Sequence, residues 1–249
     1  MNRPNEAIWK LEKIMMRAWP AFESIDYEGW TLRFADGYTK RSNSIYSHST
    51  SPLPLQEKVA HCEAAYQERG LPTIFRVTPF SQPATLDGFL AERDYETLDP
   101  TLVMTCTLAD AMPESKREPQ FIVSSEAWLN AHALLHQLTA VEASALKRIV
   151  QSTDGECCFV TANKKGRLTG CGLGVLVDDA VGLFGLFTHP ECRGQGVGSA
   201  IVRSILAWAY QRKAKTSFLQ VHCDNTTARR LYERCGFQEA YPYWYRIKR

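Results

Sequence analysis

An α/β protein in two similar halves is what this sequence predicts, each half a sheet flanked by helices. Three observations carry the prediction. Helical and strand periodicities alternate through the second half. A proline- and charge-rich break, ADAMPESKREPQ at 109–120, divides the chain near its middle. Three blocks of the first half recur in the second in the same order.

The composition bounds the function before any motif is read. The chain has 249 residues, 45% hydrophobic and 22% charged, near the globular average. That length buries one large core or two of ordinary size. With 29 basic against 27 acidic residues the net charge is +2, which argues against a broad nucleic-acid surface. No uncharged apolar run is long enough to span a membrane. The N-terminus mixes charge with apolar residues, so it reads as an amphipathic helix with Ile8, Leu11, Met15 and Trp19 on one face, not as a secretory signal. The expected compartment is the cytoplasm. The cysteines at 62, 106, 157, 158, 171, 192, 223 and 235 form no CxxC pair and are expected as free, mostly buried thiols. His189, Cys192, His222 and Cys223 are the candidates for a metal, but their spacing matches no standard ligand set, and no metal is expected.

The second half is read element by element. Residues 125–137 and 141–149 are helical in pattern, with Ser124 or Ser125 as N-cap. Apolar runs at 157–162, 168–177 and 181–188 read as strands, the last two joined by a hairpin turn at Asp178 and Asp179. A glycine loop at 193–198 leads into a helix at 199–212 with Ile201, Ile205 and Trp208 on one face. A strand at 217–221, a helix at 226–235 closed by Gly236, and a strand at 241–247 follow. The terminal aromatics Tyr241, Tyr243, Trp244 and Tyr245 read as a strand covered on both faces.

The recurring blocks are TIFRV at 73–77 with SFLQV at 217–221, LAERDY at 90–95 with LYERCGF at 231–237, and IYSH at 45–48 with LFTH at 186–189. This favours a duplication, with halves at 1–108 and 121–249 and a linker at 109–120. The copies differ where the glycine loop stands. The first has STSPLPL at 49–55, and proline lacks the N–H that a phosphate cradle needs.

The chemistry sits in RGQGVG, which leaves a strand and opens a helix. Glycine permits positive φ and close backbone approach, and a helix N-terminus offers free N–H groups and a positive dipole end. The loop is neither GxGxxG nor a P-loop. Its surroundings, LFTHPECRGQGVGS at 186–199, resemble motif A of the GCN5-related N-acetyltransferases. LQVHCDNTTARRLYERCGF at 219–237 resembles motif B, with Asn225, Ala228, Leu231, Tyr232, Gly236 and Phe237 in place. The resemblance covers residues 120–249 and extends more weakly to the first half, where GYTKRSNS at 37–44 is similar to some tandem bacterial members.

The resemblance implies two tandem domains of that family, the first degenerate, each a mixed, mostly antiparallel twisted sheet flanked by helices. It implies acetyl-CoA as cosubstrate and an amine acceptor attacked directly. Backbone groups of Leu186, Phe187 and Thr188 would bind the pantetheine arm. Those of Arg193, Gly194, Gln195, Gly196, Val197, Gly198 and Ser199 would hold the pyrophosphate. Asn225 would contact coenzyme A and Tyr232 would protonate the departing thiolate. Arg229, Arg230 and Arg234 are either 3′-phosphate contacts or a solvated helix face.

The general base departs from the family. Relatives carry glutamates where this chain has Gln220 and Gly182, so His189 or His222 is the candidate base, with Glu191 and Asp224 nearby. The leading expectation is an N-acetyltransferase acting on a primary amine. The alternative is a coenzyme A-binding sensor or interaction protein, suggested by the missing carboxylates. Neither the acyl chain, the amine, the role of residues 37–44, nor the choice between monomer and homodimer is legible.

Overall fold

The structure is a computed structural model that describes residues 3–111 and 121–248. Helix α1 (Arg3–Ala18) precedes a hairpin of β1 (Glu23–Tyr27) and β2 (Trp30–Phe34), then β3 (Ile45–Ser47), α2 (Leu55–Gln67), β4 (Thr73–Val77), α3 (Leu86–Ala91), the long β5 (Glu96–Thr107) and the single turn α4 (Leu108–Ala111). The second half runs α5 (Ser125–His136), α6 (Ala140–Ser152), the meander β6 (Glu156–Lys164), β7 (Arg167–Val177) and β8 (Ala180–Thr188), then α7 (Val197–Gln211), β9 (Thr216–His222), α8 (Thr226–Arg234) and β10 (Gln238–Lys248).

The local reasons for these elements are the ones the sequence carries. Ser124 caps α5 by accepting from the Ala127 N–H at 3.3 Å. Thr139 and Glu142 close a reciprocal capping box on α6. Asp178 takes a left-handed φ of 53° at the tip of the β7–β8 hairpin. Of the segment expected as a linker, residues 109–111 belong to α4 and the remainder lies outside the described residues.

The ten strands form one sheet in the order β1-β2-β3-β4-β10-β5-β9-β8-β7-β6. Pairing is antiparallel except for β3 with β4 and β8 with β9. Replacing each of β1–β5 by its counterpart in β6–β10, and the reverse, gives the same order read backwards, so the halves trace one topology about a pseudo-twofold axis. The matched blocks at 73–77 and 217–221 are β4 and the core of β9, which occupy equivalent places. The halves also trade their last strands. β10 pairs with β4 of the first half, and β5 pairs with β9 of the second.

Helices cover both faces. On one face α7 and α8 pack on the second half through Ile201, Ile205, Trp208 and Tyr232, while α2 and α3 cover the first through Tyr66 and Leu90. On the other face α1 lies with α5 and α6 over a shared core containing Met15, Trp19, Trp128, Leu146, Phe184, Tyr241, Tyr243 and Tyr245. Trp19 of α1 stacks on Phe184 of β8 at 5.0 Å, so the first helix is packed on the second half's sheet. The alternating tyrosines of β10 point to this face, and Trp244 turns the opposite way to donate to Asp87 of α3 at 2.9 Å.

The 37–44 segment, open from sequence, is a structural tie. The Asn43 side chain accepts from the Ala35 and Gly37 N–H groups at 2.7 and 3.0 Å and donates to the Thr39 carbonyl at 2.8 Å. Arg41 is held over the Trp19 and Phe184 rings at 5.8 and 5.9 Å. This loop therefore anchors α1 against β8.

Candidate active site

A cleft of about 680 Å³ opens where β8 and β9 part. The two strands pair in parallel from Ala180 with Thr216 to Leu183 with Leu219 and no further. Beyond that point β8 stays paired to β7 alone, through Phe187 with Cys171 and Thr188 with Gly170. Residues 184–188 thus present an unpaired strand edge to the opening. A bulge separates the pairs on either side of Gly185, whose φ is 55°. Such a bulge re-aims the backbone next to a site.

The glycine loop lies at the mouth of this split. Gly194 and Gly196 have φ of 73° and 83°, where a side chain is strained, and nothing lies within 4 Å of the place a Cβ would occupy. The glycines there serve the backbone path and leave open space above it. Gly196 is the N-cap residue of α7. The first N–H groups of the helix have no acceptor inside it, so those of Val197, Gly198 and Ser199 face the cleft mouth at the positive end of the helix dipole. This arrangement fits a pyrophosphate.

The sequence-derived residues are brought together here. Leu186, Phe187, Thr188, Arg193, Gly194, Gly196, Val197, Gly198, Ser199, Asn225 and Tyr232 all line the one cleft. Gln195 does not. Its side chain donates to the Glu191 carbonyl at 2.8 Å and accepts from Lys164 at 2.9 Å. Asn225 caps α8, its side-chain oxygen accepting from the Ala228 N–H at 3.1 Å, which leaves its amide donors for a ligand. Tyr232 is 9% exposed, and burial raises its hydroxyl pKa to about 12, with Cys235 adding to the shift. It therefore keeps its proton at neutral pH. Among the α8 arginines, Arg234 lines the cleft. Arg229 is engaged with Glu239 and the Cys223 carbonyl.

The two candidate bases are placed elsewhere. His189 starts the short turn after β8, with Arg167 Nη2 3.2 Å from its Nε2, and His222 ends β9 with its Nδ1 accepting from the Asp224 N–H at 3.3 Å. Neither is among the residues lining the cleft. Gly182 and Gln220, which stand where a carboxylate would serve as base, are committed to packing and hydrogen bonding. A Cβ at Gly182 would sit 2.5–2.7 Å from the Phe218 and Phe184 rings. Gln220 accepts from the Tyr243 hydroxyl at 2.6 Å and donates to the Met15 sulfur at 3.3 Å.

His189, Cys192, His222 and Cys223 do not form a donor cluster. Among the described residues the His/Cys group that does converge is His132, His136 and Cys171, whose donor atoms lie within 4.8 Å of one another. Sequence reasoning missed it, although HALLH places two histidines four apart on one helix face. All eight cysteines are free thiols, six of them buried.

A parallel strand pair that splits beside a glycine-opened helix, with a protonated tyrosine lining the same cleft, defines the candidate site. Comparisons with known proteins give its family. Residues 6–246 match the family model described as "Probable histone acetyltransferase Rv0428c C-terminal". The chain is 30% identical over 247 residues to the uncharacterized N-acetyltransferase YobR of Bacillus subtilis, covering 97% of this chain and 99% of that one. A GCN5-related N-acetyltransferase from Kribbella flavida shares the fold at TM-score 0.72 and 14% identity, over 100% of this chain and 96% of the other. A tandem GNAT protein from the clavulanic acid biosynthesis pathway does so at 0.59 and 15%, over 78% and 69%. The chain belongs to the GCN5-related N-acetyltransferase family. No helix is long and apolar enough to cross a membrane among the described residues.

Proposed function

We propose that this protein transfers an acetyl group from acetyl-CoA to a primary amine by direct attack. The observation that carries the reading is the junction of the loop 193–199 with the unpaired β8 edge and Tyr232 in one cleft. In this reading the backbone of Arg193–Ser199 binds the pyrophosphate and the Asn225 amide contacts the coenzyme. Leu186, Phe187 and Thr188 hydrogen-bond the pantetheine as an added strand would. Arg234 is the α8 arginine placed to meet a further phosphate. The amine nitrogen forms the new bond to the carbonyl carbon and sheds one proton. The carbon–sulfur bond breaks, and Tyr232 gives the sulfur its proton. The products are the acetylated amine and free coenzyme A.

The organisation proposed with this activity is a duplication whose first copy has lost the cradle. The α2 entry in that copy is built on Pro52 and Pro54 in place of glycines. Its role is architectural, since it supplies β5 as a sheet neighbour of β9 and α1 as cover for β8. A cytoplasmic location belongs to the same reading.

Gln220 and Gly182 favour a second reading, in which the protein binds coenzyme A and transfers nothing. One experiment separates the two. Acetyl-CoA is offered with spermidine, an alanine-initiated peptide and an aminoglycoside while released thiol is followed. Transfer predicts thiol release that depends on an amine and falls roughly 100-fold in Tyr232→Phe. Tight binding with no amine-dependent release supports the sensor and overturns the transferase.

A further inference from the structure

We propose that His136 is the general base of this site, taking the proton that the acceptor amine sheds. The inference rests on the transfer reading above and supplies the group that Gln220 and Gly182 leave missing.

The geometry begins at the β8 bulge. Gly185 sits where β8 turns away from β9, on the face opposite α7. A Cβ there would lie 2.8 Å from His132 Cε1, so a histidine ring already rests on the Gly185 backbone. The Cys171 thiol donates to the Gly185 carbonyl at 3.5 Å, His132 Nδ1 lies 3.8 Å from that thiol, and the ligand atoms of His132, His136 and Cys171 all lie within 4.8 Å of one another. A neutral imidazole keeps a lone pair on one ring nitrogen in either tautomer. His136 is not itself among the residues lining the cofactor cleft, but it packs edge-on at 4.9 Å against Phe187, which is. The ring thus sits beside the strand segment assigned to the pantetheine, on the sheet face that the coenzyme's phosphate end does not occupy.

The same cluster selects His136 over its neighbours. The titratable groups that face it are His132 on its own helix, stacked at 4.0 Å, and Cys171 on β7. From β8 it meets the Phe187 ring and the Gly185 backbone. His132 is 5% exposed and burial, aided by His136, pushes its pKa down to about 3, so it does not exchange protons near neutrality. Cys171 is fully buried and burial pushes its thiol up to about 12. His136 is the most exposed of the three, its pKa lowered by desolvation and held up in part by the Gly185 backbone. Its imidazole is neutral at the pH where the amine must lose a proton.

In the balanced step, the amine lone pair forms the N–C bond and the nitrogen passes its proton to the free His136 nitrogen. The carbon–sulfur bond breaks and Tyr232 protonates the sulfur. Solvent then removes a proton from His136 and restores one to Tyr232.

The test uses the full chain with histidine ring carbons labelled. Six histidines give six resonances, and His136→Gln assigns the one in question. Saturating acetyl-CoA is expected to move that resonance, and its titration is expected below the ordinary histidine range. With whichever of the three amine probes is turned over, His136→Gln should lower kcat about 100-fold at neutral pH. The acetyl-CoA affinity should stay unchanged, and the rate should recover as pH rises and the amine deprotonates by itself. His61→Gln, on α2 and stacked on Tyr27, should change nothing. A His136→Gln enzyme that keeps wild-type kcat overturns the proposal. So does acetyl-CoA binding that leaves the His136 resonance unmoved, whether or not a probe is turned over. A transition metal retained by the purified protein and lost in Cys171→Ser also overturns it, because the lone pair would already be used. Failure to bind acetyl-CoA at all removes the transfer reading and this inference with it.

Discussion

Replacing Arg76 tests how the first helix is locked over the shared sheet. Arg76 of β4 and Glu12 of α1 form an ion pair at 2.7 Å with side chains 2% and 6% exposed. The Arg76 Nη1 donates to both Glu12 oxygens, the Tyr241 hydroxyl donates to one of them at 2.5 Å, and the guanidinium lies 3.9 Å from the Tyr243 ring. Arg76→Met removes the cation and leaves Glu12 buried with a single hydroxyl donor. Stranding one member of a buried pair costs about 3–5 kcal/mol. Arg76 Nε and Nη2 are themselves buried without partners, so their loss offsets part of that cost and places the effect near the lower end, about 3 kcal/mol. For a chain of this size that corresponds to a fall in Tm of roughly 6–12 °C. Urea unfolding followed by circular dichroism reads the free energy directly. The double variant Arg76→Met/Glu12→Leu should recover most of the loss, because no charge is then buried alone. A single variant within 1 kcal/mol of wild type, or a double variant worse than the single, would refute the reasoning.

Three further outcomes follow from the same geometry. His132 binds a proton near pH 6.5 when unfolded but only near 3 when folded, so the unfolded state holds more protons between those values and stability falls as pH drops through that window. His132→Leu should flatten that loss in unfolding curves taken from pH 7 to pH 4, and an unchanged slope would contradict the burial argument. Residues 121–249 expressed alone should be insoluble or molten, because β9 and β10 both lose β5 as a neighbour, and co-expression with residues 1–111 should restore a soluble pair. A folded, cooperative 121–249 fragment would contradict the strand exchange. Asp87→Ala removes the acceptor of Trp244 and Arg246 and should cost about 1–2 kcal/mol, read by thermal unfolding.

Much of this was legible because its causes are local. Capping residues, a turn at Asp178, apolar periods and Gly236 each act within a few residues, and the second-half elements lie within a few residues of where those signals place them. The glycine loop and motif B were legible for the same reason. The strand exchange was not. The pattern of Tyr241, Tyr243 and Tyr245 says that one face of β10 is buried, but nothing local says that β4 and β5 are its neighbours. The position of α1 over β8 has the same character, since Trp19 and Phe184 are far apart in the chain. HALLH reads as an ordinary helix face until tertiary packing brings Cys171 and the Gly185 carbonyl to it. His189 and His222 stood out only by being near motif residues in sequence, and the turn geometry points them toward Arg167 and Asp224 instead.

The central claim is that the split between β8 and β9 binds acetyl-CoA through the loop at Gly196, and calorimetric titration of acetyl-CoA tests it most directly. Wild type should bind in the micromolar range, with Gly196→Asp weakened about 100-fold or more, since its carboxylate would stand in the open space where the pyrophosphate must lie. Gly196→Ala is the control. It carries the same strain at φ 83°, about 1–2 kcal/mol, without the charge, and should lose far less affinity than the aspartate. Wild-type binding that Gly196→Asp leaves intact, or no binding by wild type, would contradict the account.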